Sequence, residues 1–137
     1  MGPVQIGRAF YICTGPIRRS ASAVRGGWSP HSVEVAVAVV VGTLRCDLLL
    51  GDVHSLKQKR SVVRPVVAEL SRRFSVSVAE TGDMDLHRRA EVSVAVVSGN
   101  HAHVREVLEN CERFVAGRPE FELLSTRTRI LDDEDLA

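Results

Sequence analysis

Residues 35–50 read VAVAVVVGTLRCDLLL, a run dominated by β-branched and aliphatic side chains with Gly42 inside it. This composition predicts a long β-strand. Residues 51–54 follow as a loop, and Ser55 stands where the N-cap of a helix is expected. Beyond Ser55, side chains recur at steps of three and four, which predicts an amphipathic helix. We assign its inner stripe to Leu56, Arg60, Val63, Val67, Leu70 and Phe74. Pro65 lies about two turns into this helix and is expected to kink it.

Downstream of this helix the pattern predicts two strands joined as a hairpin. Residues 74–80 alternate apolar with small or polar side chains, and residues 90–98 repeat that alternation. Such a period of two is typical of half-buried strands. Thr81-Gly82-Asp83 marks a turn after the first of them. The connection between the two strands is therefore expected to be long.

A second helix and a last strand complete the regular region. The helix opens at Gly99-Asn100 and ends at Gly117, with an apolar stripe between these limits. Residues 121–130 have the composition of a final strand. The order is therefore β-α-β-β-α-β. It predicts an α+β, ferredoxin-like fold, in which two helices cover one face of a four-stranded antiparallel sheet.

Composition and charge divide the chain into three parts. Residues 1–34 are rich in Gly, Pro and Arg and show no period, so we predict a disordered or irregular N-terminal extension. Residues 35–131 form the predicted ferredoxin-like domain, and residues 132–137 an acidic, frayed C-terminal tail. The first 37 residues hold four Arg and one Glu, net +3, whereas the remaining hundred hold 14 basic and 16 acidic residues, net −2.

Overall composition excludes several classes of protein. The formal net charge is +1, from 18 Lys+Arg and 17 Asp+Glu, so bulk charge does not drive binding to nucleic acid or membranes. The three cysteines lie far apart and form no C-x-x-C pair, which argues against a disulfide framework and favours a reducing cytoplasm. The longest uninterrupted apolar run is too short for a membrane-spanning helix. We therefore expect a cytoplasmic protein without a membrane partner.

The start of the first helix is the most informative site in the sequence. Cations there oppose the partial positive charge of a helix N-terminus, so local physics disfavours them. Together with free helix amides they predict an RNA- or anion-binding site. Its residues are His54, Ser55, Lys57, Lys59, Arg60 and Arg64. The alternative is that these cations pair with carboxylates at Glu80, Asp83 or Asp85 and only solubilise the helix.

The chain offers no recognisable catalytic motif. It contains no P-loop, G-x-G-x-x-G or H-E-x-x-H, and no nucleophile can be assigned. Asp83, Asp85 and His87 alternate but have no fourth ligand nearby, so we read them as a polar hairpin connection rather than a metal site. We predict no catalytic residue, no metal and no cofactor, which favours a non-enzymatic protein.

Several blocks of the sequence together resemble the YlxP-like family of small bacterial proteins of unknown function. They are SLKQKRSVVR at 55–64, FSVSVAE at 74–80, DLHRRAE at 85–91 and VAVVS at 94–98. The resemblance covers about residues 39–131. It implies a ferredoxin-like domain, encoded in many bacteria between genes for a translation initiation factor and a ribosome-binding factor. It implies no catalytic residues.

Three functions remain open at this stage. The first is an accessory factor of translation or ribosome assembly that contacts ribosomal RNA or a ribosome-bound factor through the basic helix start. The second is a self-associating, dimeric module that buries Val97 and Leu124 on the open face of the sheet. The third is a small-molecule or anion binder that uses His54, Lys57 and Arg60.

Overall fold

The computed structural model describes residues 38–137, so the predicted N-terminal extension lies outside the described residues. Its elements are β1 (Val40–Leu50), α1 (Leu56–Phe74), β2 (Ser77–Thr81), β3 (Arg89–Ser98), α2 (His101–Ala116), β4 (Phe121–Leu131) and α3 (Asp133–Leu136). The strands form one sheet in the order β2-β3-β1-β4, and every neighbouring pair is antiparallel. This arrangement confirms the predicted α+β, ferredoxin-like fold.

The core lies between one face of the sheet and helices α1 and α2. Alternate residues of β1 point into it, as a strand period of two requires, and Leu44, Cys46 and Leu48 are fully buried. Helix α2 contributes four buried side chains at the predicted spacing: Val104, Leu108, Cys111 and Val115. Helix α1 contributes Val63, Val66 and Leu70. The opposite face of the sheet has no helix over it in the described part of the chain.

Both long helices begin with the caps that the sequence predicts. The Ser55 hydroxyl accepts a hydrogen bond from the Gln58 amide at 3.2 Å, and the Gln58 side chain in turn accepts from the His54 amide at 2.7 Å. The Asn100 side chain accepts from the His103 amide at 3.1 Å. These bonds satisfy amides that a helix start would otherwise leave unpaired. Helix α1 runs without interruption through Pro65.

Two predicted boundaries, the starts of β1 and β2, are wrong. Strand β1 begins at Val40 rather than residue 35 within the described chain, and β2 begins at Ser77 rather than residue 74. Helix α1 extends to Phe74, and Ser75 ends it in the left-handed conformation, with φ of 52°. Part of the acidic end is helical, since Asp133–Leu136 forms α3. Asp132 caps the single turn of α3.

Gly42 sets how closely α2 approaches the sheet. It lies on the helix-facing side of β1, and a Cβ added there would sit 2.7 Å from Leu108 Cδ1 and even closer to Val104. Real Cβ atoms do not approach carbon atoms so closely. The helix could keep its position only if its side chains left their rotamers.

We predict that Gly42→Ala lowers the free energy of unfolding by about 1–3 kcal/mol, because it overpacks the interface between β1 and α2. Gly51→Ala is the matched control, since a Cβ at Gly51 meets nothing within 4 Å. The control should stay within about 0.5 kcal/mol of the parent. Urea denaturation of both variants measures the difference, and equal midpoints would contradict the close approach of α2.

Candidate functional site

Lys59 occupies a core position of α1. It lies four residues before Val63, on the same side of the helix as Val66 and Leu70, and it is only 2% exposed. Its ammonium Nζ lies 3.0 Å from Glu80 Oε1 and donates to the main-chain oxygen of Met84 at 3.2 Å. The main-chain oxygen of Asp83 lies 3.5 Å away. Lys59 therefore joins α1 to β2 and to the β2–β3 connection.

This placement corrects the predicted composition of the site. Lys59 does not present its ammonium group at the surface, so it is not part of a surface patch. The pairing interpretation holds for Lys59, whose partner is Glu80 as the alternative anticipated. The predicted inner stripe of α1 is wrong at Arg60, which is exposed while Lys59 faces the core, and it is confirmed at Val63 and Leu70, which are buried.

Lys57, Arg60 and Arg64 lie on the outward side of α1. At about 100° per residue, they are about 100–160° around the helix from Lys59, and all three are exposed. No carboxylate of residues 38–137 lies within 4.0 Å of their charged nitrogens. The predicted alternative, pairing with Glu80, Asp83 or Asp85, is therefore wrong for these three. With Ser61 and Pro65 they line a shallow depression of about 390 Å³.

Arg72 extends this surface toward the other end of α1, and the sequence reasoning missed it. It is exposed, and it lies about two turns beyond Arg64 on the same outward half of the helix. We call Lys57, Arg60, Arg64 and Arg72 the basic ridge. It spans about 22 Å along the helix axis. The only acidic residue of α1, Glu69, is bonded to Arg118 instead.

His54 and Ser55 lie at the entrance to α1. His54 is exposed, and its main-chain amide is engaged by Gln58. The Ser55 hydroxyl is committed to the cap. Ser55 therefore caps the helix. The Gln58 amide, one of the helix amides predicted to be free for an anion, is already bonded to it.

The open face of the sheet carries a network of ion pairs. Arg45 donates to Glu91 at 2.7 Å, and Arg89 pairs with Asp47. The pKa of Glu91 is lowered because Arg45, and after it Thr81, donate hydrogen bonds to its carboxylate. The same contact raises the pKa of Arg45. This face is therefore polar at its centre.

Val97 and Leu124 do not form one apolar patch. Val97 is 66% exposed and lies opposite Val41 at one end of the open face. Leu124 is the extra residue of a β-bulge, opposite the step from Asp47 to Leu48. Six positions of β1 separate the two sites, or about 20 Å. The two side chains would therefore occupy separate parts of a two-fold interface on this face.

Cys46 and Cys111 are buried in the core and free. Burial raises the pKa of Cys46 to about 12 and that of Cys111 to about 11. Both groups therefore remain protonated thiols at neutral pH, and neither has the character of a nucleophile. Within residues 38–137, no cluster of three or more His, Cys, Asp or Glu is arranged to hold a metal ion. No helix in this range is long and apolar enough to cross a membrane.

The structure thus defines a ferredoxin-like α+β domain whose first helix bears a row of unpaired cations on its outward side. Comparison with known proteins identifies its family. Residues 41–128 match the model of a protein family of unknown function, DUF503, and the chain belongs to that family. It is also 30% identical over 89 residues to the uncharacterised protein YlxP of Bacillus subtilis (strain 168). That match covers 65% of this chain and 97% of YlxP, and it confirms the YlxP-like resemblance.

We predict that Glu80→Ala lowers the free energy of unfolding by about 3 kcal/mol, because it leaves the Lys59 ammonium buried without a counter-charge. Lys59→Met removes the charge but keeps most of the side-chain volume, so its cost should be under about 1.5 kcal/mol. Thermal and urea denaturation measure both variants.

Lys57→Met is the matched control for this comparison, since Lys57 lies two residues away but is exposed. It should change stability by no more than about 0.5 kcal/mol. If Glu80→Ala costs no more than Lys57→Met, Lys59 is not held as the structure places it.

Proposed function

We propose that this chain is a non-enzymatic accessory factor of translation or ribosome assembly, and that it contacts RNA through the basic ridge. The observation that carries the proposal is the lack of carboxylate partners for Lys57, Arg60 and Arg64 in the described chain. Exposed cations gathered on one helix face, in a domain of balanced charge, favour a polyanionic partner. The gene neighbourhood implied by the YlxP-like resemblance supports translation as the setting.

The chemistry of the ridge favours phosphate contacts over reading of bases. Lysine and arginine contacts to phosphate oxygens position a protein on RNA without selecting a sequence. The open face of the sheet supplies no alternative, because its small residues offer no aromatic platform on which bases would stack. Those residues are Ser77, Ala79, Ser93 and Ala95. We therefore expect binding that depends on the shape of a double-stranded RNA segment and weakens steeply with salt.

We predict that the triple variant Lys57→Glu, Arg60→Glu and Arg64→Glu no longer co-sediments with small ribosomal subunits. The loss of three phosphate contacts should remove about three units from the salt slope of binding. Folding should be retained or slightly strengthened, because no acidic residue occupies the first turn of α1 and acids there complement the helix dipole by about 0.3–1 kcal/mol each.

The matched control reverses three exposed arginines on other surfaces: Arg88, Arg105 and Arg113. Its net charge equals that of the ridge variant, so it should retain co-sedimentation if the ridge is the contact surface. An equal loss of co-sedimentation in both variants would show that net charge, and not the basic ridge, determines binding. Unchanged co-sedimentation of a folded ridge variant would refute the proposal.

A further inference from the structure

Strand β4 forms one edge of the sheet and has a groove beside it. It is eleven residues long, against five for β2 at the other edge, and in the described chain only β1 pairs with it. The groove separates β4 from α2 and has a volume of about 570 Å³. An edge strand presents a row of unpaired amides and carbonyls that an added strand can bond. Extended peptides bind other sheets in this way, with alternate side chains in a neighbouring groove.

The two sides of β4 differ in chemistry. Thr128 and Ile130 point into the groove, whose α2 wall carries Leu108 at its base and polar side chains around it: His101, Arg105, Glu109 and Glu112. Arg127 and Arg129 alternate with them on the open face, opposite Arg45 and Thr43. No carboxylate of the described residues lies within 4.0 Å of either guanidinium. Arg127 lies directly opposite Arg45, and Glu91, which is bonded to Arg45, is the one carboxylate of residues 38–137 near both guanidinium groups.

These features together specify the ligand. We infer that β4 binds an extended segment of a partner protein, in which acidic residues alternate with small apolar ones. Paired with β4, such a segment directs its carboxylates toward Arg127 and Arg129. Its apolar side chains enter the groove beside Leu108 and Ile130. The β-bulge at Leu124 interrupts the regular strand geometry near the start of β4. The segment therefore pairs with the seven residues after the bulge, 125–131.

Two other occupants fit less well. A second copy paired through its own β4 would bring Arg127 and Arg129 against the same residues of its partner, and like charges in cross-strand positions repel. RNA bound to Arg127 and Arg129 on the open face would leave the groove unused, and the α2 wall of that groove carries Arg105 beside Glu109 and Glu112. The acidic side chains of an added strand avoid that wall, because they point to the opposite face.

The test uses the full chain and a fluorescein-labelled nonapeptide in which glutamate alternates with valine. Anisotropy should show saturable binding. A peptide of the same composition with its glutamates and valines in two blocks should bind at least about tenfold more weakly. In Arg127→Glu, Arg129→Glu the alternating peptide should also lose about tenfold in affinity, and an alternating lysine–valine peptide should gain.

The matched control is Arg60→Glu, Arg64→Glu, which reverses two charges on the basic ridge and should leave peptide binding unchanged. On the parent protein, amide chemical-shift changes should follow residues 125–131 and the facing side of α2. Equal binding of the block peptide, an equal loss in the ridge control, or shifts centred on β2 would each overturn the inference. So would no binding at millimolar peptide, or a dimer that the Arg127→Glu, Arg129→Glu variant dissociates.

Discussion

The buried contact of Lys59 with Glu80 fixes the rotation of α1, and the surface of the molecule follows from that rotation. A lysine ammonium group is placed in a core only when charge and hydrogen-bonding partners receive it. Glu80 supplies the charge, and the main-chain oxygen of Met84 supplies a further acceptor. With Lys59 held inward, the other cations of the same helix start must point outward, since they lie about 100° or more around the axis. One buried ion pair therefore separates a structural lysine from the exposed cations of the same helix.

The sequence predicted the architecture because its apolar periods are strong. The alternation of apolar and polar residues predicts the two strands of the hairpin, β2 and β3. Apolar residues at steps of three and four predict α2. One position of the predicted inner stripe of α1 is wrong, because steps of four and three from Leu56 to Val63 pass through Arg60, whereas Lys59 faces the core. Lys59 does stand four, seven and eleven residues before Val63, Val66 and Leu70, so the core spacing was present in the sequence. Only the partner, Glu80, reveals why a charged residue can hold that position.

Other differences depend on interactions that local pattern does not encode. The left-handed conformation of Ser75 ends α1 at a residue type that rarely adopts it, so the alternation beginning at Phe74 suggested a strand too early. The bulge at Leu124 shifts the register of β4 against β1 by one residue, which the composition of residues 121–130 does not indicate. Among the candidate site residues, Lys57, Arg60 and Arg64 are brought together on one surface, and Ser55 is used as a cap.

Lys57 lies on the exposed basic ridge, which we propose binds phosphate, whereas Lys59, two residues away, belongs to the core. The most direct measurement is the salt dependence of binding to small ribosomal subunits for Lys57→Met and Lys59→Met, compared with the parent chain. Each variant removes one positive charge, so their net charges are identical. The account predicts that Lys57→Met reduces the slope of log K against log salt by about one unit, and that Lys59→Met leaves it unchanged. Equal slopes for the two variants, whether both reduced or both unchanged, would contradict it.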